Sequence, residues 1–163
     1  MTTTLADAFV LCEVAGTTYA VRTSDVLHME MVGDITPVPN ASANLDGVVL
    51  SRGRIVPVLN LRARFGFERT PHDLRTRVIV VRTGERAVGL LVDAAREFVR
   101  IPPEGIQPPG GAVADRGSNY LDGVASLDGR LVLVLDVARV IDVPAEAGSP
   151  PAGAHSAVQQ VDR

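Results

Sequence analysis

A chain of 163 residues with a net charge of −3, 46% of it hydrophobic and only 4% aromatic, is long enough for one domain or two small fused ones. It should bury roughly two thirds of the surface its unfolded form exposes. All 16 basic residues are arginines scattered along the chain, which argues against a nucleic-acid surface, and the lack of lysine removes Walker-type phosphate loops and Schiff-base catalysis.

Taken in order, residues 1–7 read as an N-terminal tail, without the basic start and apolar stretch of a secretory signal. Apolar, valine-rich segments follow at Phe9–Val14, Gly47–Leu50, Arg54–Leu61, Arg77–Arg82, Ala87–Val92, Gly123–Leu127 and Arg130–Val137, punctuated by glycine and proline. This pattern predicts an all-β fold, with helical turns only near Ser24–His28, Leu61–Phe65 and Val137–Asp142. Cys12, the single cysteine, lies in the first apolar run and has no disulfide partner, as expected of a buried thiol in a reducing compartment. Gly66–Arg75 reads as the surface connection between two halves, and Pro102–Asn119 as a long loop. The stretch 144–163 is too poor in apolar side chains to pack and reads as a disordered tail. The longest apolar runs, such as Leu131–Leu135, are far below the roughly twenty residues of a bilayer span, so no direct membrane insertion is expected.

The halves repeat at an offset of 76 residues. Leu45–Leu61 aligns without a gap on Leu121–Val137, with nine of seventeen positions identical. Each copy reads as a β-hairpin turning at Ser51-Arg52-Gly53-Arg54 or Leu127-Asp128-Gly129-Arg130. Sheets of four or five strands with bare edges would be vulnerable, so two small closed barrels sharing a core are expected, divided at about 15–75 and 76–143.

The segment Gly47-Val-Val-x-x-Arg-Gly-Arg-Ile-Val-Pro-Val-x-Asn-Leu-Arg62 with Arg64-Phe-Gly66 resembles the hallmark of CheW-like domains. So do Arg77–Val81, Val88–Asp93, the Ile101, Ile106 and Pro108 spacing, and Tyr120-Leu-x-Gly123. The likeness covers about residues 8 to 142. It implies two pseudo-symmetric, five-stranded SH3-like barrels with short helical segments in a domain spanning 8–143. It also implies a chemotaxis adaptor without enzymatic activity or cofactor, whose partners are the regulatory domain of a CheA-type histidine kinase and the cytoplasmic tip of a chemoreceptor. Such a protein would be cytoplasmic, drawn to the inner face of the membrane through receptor arrays.

The same resemblance points to Arg52 and Gly53 as partner-binding, with Ser51 standing where the family usually has leucine. Asp128 suits a turn residue at positive φ and arginine suits it poorly, unless the first turn is type II, where only Gly53 needs positive φ. His28 stands where the family commonly has an acid. Glu30, two residues on and on the same face of an extended strand, is expected to pair with Arg52. Gly47 and Gly123 read as close-approach glycines, Gly47 lying near the surface that the resemblance assigns to the kinase. Val26, Val49 and Ile55 are candidates for an exposed contact patch. Two alternatives are a scaffold in a non-flagellar chemosensory pathway and an unrecognised hydrolase. For the hydrolase, His28, His72 and His155 lie too far apart in sequence to suggest a common site or a metal set.

Overall fold

The computed structural model describes residues 8–110 and 120–142. The expected tails at 1–7 and 144–163, and residues 111–119 of the expected loop, lie outside the described residues. Among the described residues there are ten strands: β1 Ala8–Val14, β2 Thr17–Arg22, β3 Val26–Met31, β4 Leu45–Ser51, β5 Arg54–Asn60, β6 Arg77–Thr83, β7 Arg86–Val92, β8 Ala94–Arg100, β9 Leu121–Leu127 and β10 Arg130–Leu135. Two short helices, α1 Leu61–Arg64 and α2 Val137–Ile141, follow β5 and β10, and a 3-10 turn at Thr23–Asp25 leads into β3. The helical turn expected at Ser24–His28 is thus confined to its first residues, and the chain is extended from Val26.

The strands form two five-stranded sheets, in the orders β8-β1-β2-β10-β9 and β3-β6-β7-β5-β4. Matching the two orders superposes β8 on β3, β1 on β6, β2 on β7, β10 on β5 and β9 on β4. Both sheets are the SH3-like barrels expected, but the expected division at 15–75 and 76–143 is not how the strands sort. The barrel of β3 to β7 is built from residues 26–92, and the other takes β1 and β2 from the first repeat and β8 to β10 from the second. Each repeat lends its first hairpin to the other's barrel, through parallel pairing of β2 with β10 and of β7 with β5. Apolar pattern marks a residue as strand but does not choose its neighbour, so the exchange left no trace in the repeat. For the same reason Gly66–Arg75 joins two parts of one barrel rather than two subdomains.

Three apolar clusters follow from the alternation of faces. In β1, Phe9 and Leu11 fill one barrel with Ala20, Ile101, Ala125, Val132 and Val134. Val10, Cys12 and Val14 point the other way, into a core shared between the barrels with Leu59, Leu61, Ile79, Leu90, Leu135 and Val140 among others. Val56, Val58, Val78, Val80 and Leu91 fill the second barrel. Burial, with the charges of Asp93 and Glu13 behind it, pushes the Cys12 thiol up to about 12, which keeps it protonated and inert.

Tight turns come from residues at positive φ. Ala15-Gly16, Arg52-Gly53 and Asp128-Gly129 have φ of 51° and 83°, 51° and 80°, and 52° and 80°, the type I′ pattern that matches strand twist. The open seams between β3 and β4, and between β8 and β9, are bridged by the segments after β3 and β8. Thr36 pairs with Val48 and Gln107 with Val124. Gly47 and Gly123 make this possible, since a Cβ on Gly47 would lie 2.1 Å from the Thr36 carbonyl oxygen and one on Gly123 would lie 2.8 Å from that of Gln107.

Candidate functional site: the first-repeat hairpin

The β4–β5 hairpin projects beyond its barrel. Leu50 and Ile55 face each other across the ladder and are 72% and 68% exposed. Between them, at the tip, stands Arg52. Its φ of +51° places it in the left-handed region, which costs an L-residue other than glycine, asparagine or aspartate roughly 1 kcal/mol or more. The type II alternative, with Arg52 unstrained, is therefore not the turn that forms. No described side chain pairs with Arg52, whereas Asp128 occupies the equivalent turn with a residue that tolerates this conformation. Strain accepted for an unpartnered, solvent-facing cation argues for a role outside the fold.

Glu30 does not meet Arg52. Its carboxylate accepts a short hydrogen bond from the Ser51 hydroxyl, and His28 Nε2 lies 3.1 Å from Glu30 Oε2 and 3.0 Å from Ser51 Oγ. The three side chains sit over the end of the barrel interior, because His28 and Glu30 lie opposite Val80 and Val78, both interior residues. Ser51, read in the sequence only as a departure from leucine, is 2% exposed and ties β4 to β3 across the seam. Its equivalent in the other repeat is Leu127, which packs into the other barrel beside Val99, and Val99 lies opposite Phe9 as Glu30 lies opposite Val78. One barrel is thus closed by apolar side chains and its twin by a polar cluster.

This Ser, His and Glu set resembles a hydrolytic triad in composition only. A relay needs the serine on one ring nitrogen of the histidine and the acid on the other. Here both partners meet Nε2, and the serine hydroxyl is already committed to the carboxylate. His72 lies on the connector after α1, His155 lies outside the described residues, and no group of three metal-binding side chains occurs among the described residues.

Of the other sequence candidates, Gly53 completes the turn at φ +80°, and Gly47 is buried against Thr36. Val26 and Val49 are half-buried and pack against the shared core and the barrel interior, so of the expected apolar patch only Ile55 stands clear. Leu50 was missed. The register that sets it beside Ile55 on the outer face is fixed by the I′ turn, which the alternating pattern alone did not settle.

Residues 8–145 match the family profile described as the CheW-like domain. The chain is 36% identical over 121 residues to "Chemotaxis protein CheW" of Thermotoga maritima, an alignment covering 72% of this chain and 78% of that protein. It is 26% identical over 138 residues to the protein of the same name from Klebsiella aerogenes, covering 85% and 83%. Among solved structures, the scaffolding protein TtCheW from Thermoanaerobacter tengcongensis superposes with a TM-score of 0.79 at 25% identity, over 87% of this chain and 97% of that one. The family profile spans most of the chain, and together with these relatives it shows that the chain belongs to the CheW-like family.

Proposed function

We propose that this protein is a non-enzymatic chemotaxis adaptor that couples chemoreceptors to a CheA-type histidine kinase. The β4–β5 hairpin binds the kinase's regulatory domain, and the receptor's cytoplasmic tip binds elsewhere on the double barrel. The observation that carries the kinase contact is the strained, unpartnered Arg52 between exposed Leu50 and Ile55. An arginine flanked by apolar side chains is the composition of an interface anchor. The protein acts in the cytoplasm and reaches the membrane through its receptors. In keeping with this, no helix among the described residues is long and apolar enough to cross a bilayer.

Reconstitution tests the reading. Purified protein, a CheA-type kinase and a receptor signalling fragment should co-sediment, with kinase activity that responds to the receptor only when the protein is present. Kinase activity indifferent to the protein's addition would remove the adaptor assignment.

A further inference from the structure

A residue held at positive φ against its own preference stays there only while its surroundings close off the easier state. For Arg52, at φ +51°, that state is near at hand. A type II turn would keep Gly53 at its φ of +80° and let Arg52 fall back to about −60°. Types I and II splay the strands they join, however, whereas type I′ follows their twist. Whatever resists splaying therefore keeps Arg52 in place. The outer face offers little hold, since Leu50 and Ile55 are mostly exposed.

The inner face does hold. Ser51 precedes the tip, pairs with Arg54 in the last rung of the ladder and is buried. Its hydroxyl donates to Glu30 Oε2. With that hydrogen committed, and none on a carboxylate, the proton in both His28 contacts, 3.1 Å to Glu30 and 3.0 Å to Ser51, is the imidazole's own on Nε2. His28 thus braces the other two. Glu30 and His28 belong to β3 and Ser51 to β4, the strands at opposite ends of the sheet order, and the backbone bridge across their seam lies at Thr36 and Val48. Beside the tip the seam is closed instead by side chains, through a hydrogen bond to a charged group, which outweighs the left-handed penalty of one residue. In the other hairpin Asp128, at φ +52°, tolerates the conformation unaided.

We infer that Ser51 and Glu30 are positioning residues for Arg52. The hydrogen bond between them, braced by His28, ties the base of the turn to β3, holds the turn in its left-handed form and so aims the guanidinium away from the barrel. The consequence for binding rests on the reading of Arg52 as the kinase contact; the consequence for the turn does not.

In the full-length protein the NOE between the amide proton and Hα of residue 52 reports its φ, being strong where φ is positive. Ser51→Ala, and likewise Glu30→Ala, should weaken it toward the level of neighbouring strand residues. With Arg52→Asn in place, Ser51→Ala should leave the NOE strong, because asparagine keeps the left-handed conformation by itself. A strong NOE in both single variants would mean that strand twist suffices. A weak one in the Ser51→Ala, Arg52→Asn double variant would mean that the hairpin has merely come apart, and either result overturns the inference. Titration calorimetry with the kinase's regulatory domain supplies the second readout. With about a tenth of the molecules left in the competent turn, Ser51→Ala should bind about tenfold more weakly, and no further loss should follow when Arg52 is already alanine. An equal loss on both backgrounds overturns the positioning role. Arg52→Ala binding as tightly as the parent overturns the kinase reading alone, and the NOEs then decide the turn.

Discussion

Arg52→Asn separates the hairpin's structural role from its binding role. Arginine at φ +51° carries a left-handed penalty of roughly 1 kcal/mol, most of which asparagine escapes. Because Arg52 holds no partner among the described residues, nothing offsets that gain. The variant should therefore be more stable by about 0.5–1 kcal/mol, a rise in thermal midpoint of about 1–4 °C for a chain of this length. Its affinity for the kinase's regulatory domain should nonetheless fall by on the order of 2 kcal/mol, about thirtyfold, if the guanidinium is the anchor of the contact. Differential scanning calorimetry and titration calorimetry on the same preparations read the two quantities. Opposite signs are the signature: a variant that loses stability, or one that binds the kinase as tightly as the parent, refutes the assignment of Arg52 as a strained contact residue.

Three further outcomes follow from the same geometry. Gly47→Ala drives a Cβ to 2.1 Å from the Thr36 carbonyl and forfeits the two 2.9 Å backbone bonds between Thr36 and Val48; urea unfolding should show a loss of about 3 kcal/mol. Ser51→Leu copies the other barrel's Leu127 but strands Glu30 and His28, and should cost about 1–3 kcal/mol, whereas adding Glu30→Val restores most of it, a coupling that a double-mutant cycle in urea would measure. Native Cys12, its thiol raised to about 12 by burial, should react with alkylating agents at pH 8 only as fast as the protein unfolds. Because the folded thiol titrates above the unfolded one, its contribution is complete below about pH 8.5 and is lost as the pH rises toward 12. Cys12→Val should flatten that part of the pH–stability curve.

What the sequence disclosed was what is local. The hairpins turning at Arg52-Gly53 and Asp128-Gly129, the positions of the two helices after Asn60 and Asp136 and the close-approach role of Gly47 and Gly123 all follow from short-range pattern, whereas the choice between type I′ and type II at Arg52 does not. The edge strands β3 and β8, polar on most of one face, gave too little alternation to be delimited, and the helical turn expected after Ser24 ran into β3. Glu30 was legible as an acid near the hairpin, on the same strand face as His28. Its partner was not, because choosing between Ser51 below it and Arg52 at the tip depends on the turn's twist, which swings Arg52 outward and leaves Ser51 buried.

The exchange of hairpins between repeats bears on the order of assembly during synthesis. Residues 26–92 contain every strand of one barrel, so that barrel can close as soon as β7 leaves the ribosome. The β1–β2 hairpin, made first, has β8 and β10 as its lasting neighbours and must wait through most of translation for them. During that interval the shared-core faces of Val10, Cys12 and Val14 can rest only on the barrel already closed, and the apolar face of Phe9 and Leu11 is uncovered. A nascent chain of this topology thus passes through a stage with one finished barrel and one orphaned hairpin, the stage at which it is most open to pairing with a neighbour of its own kind.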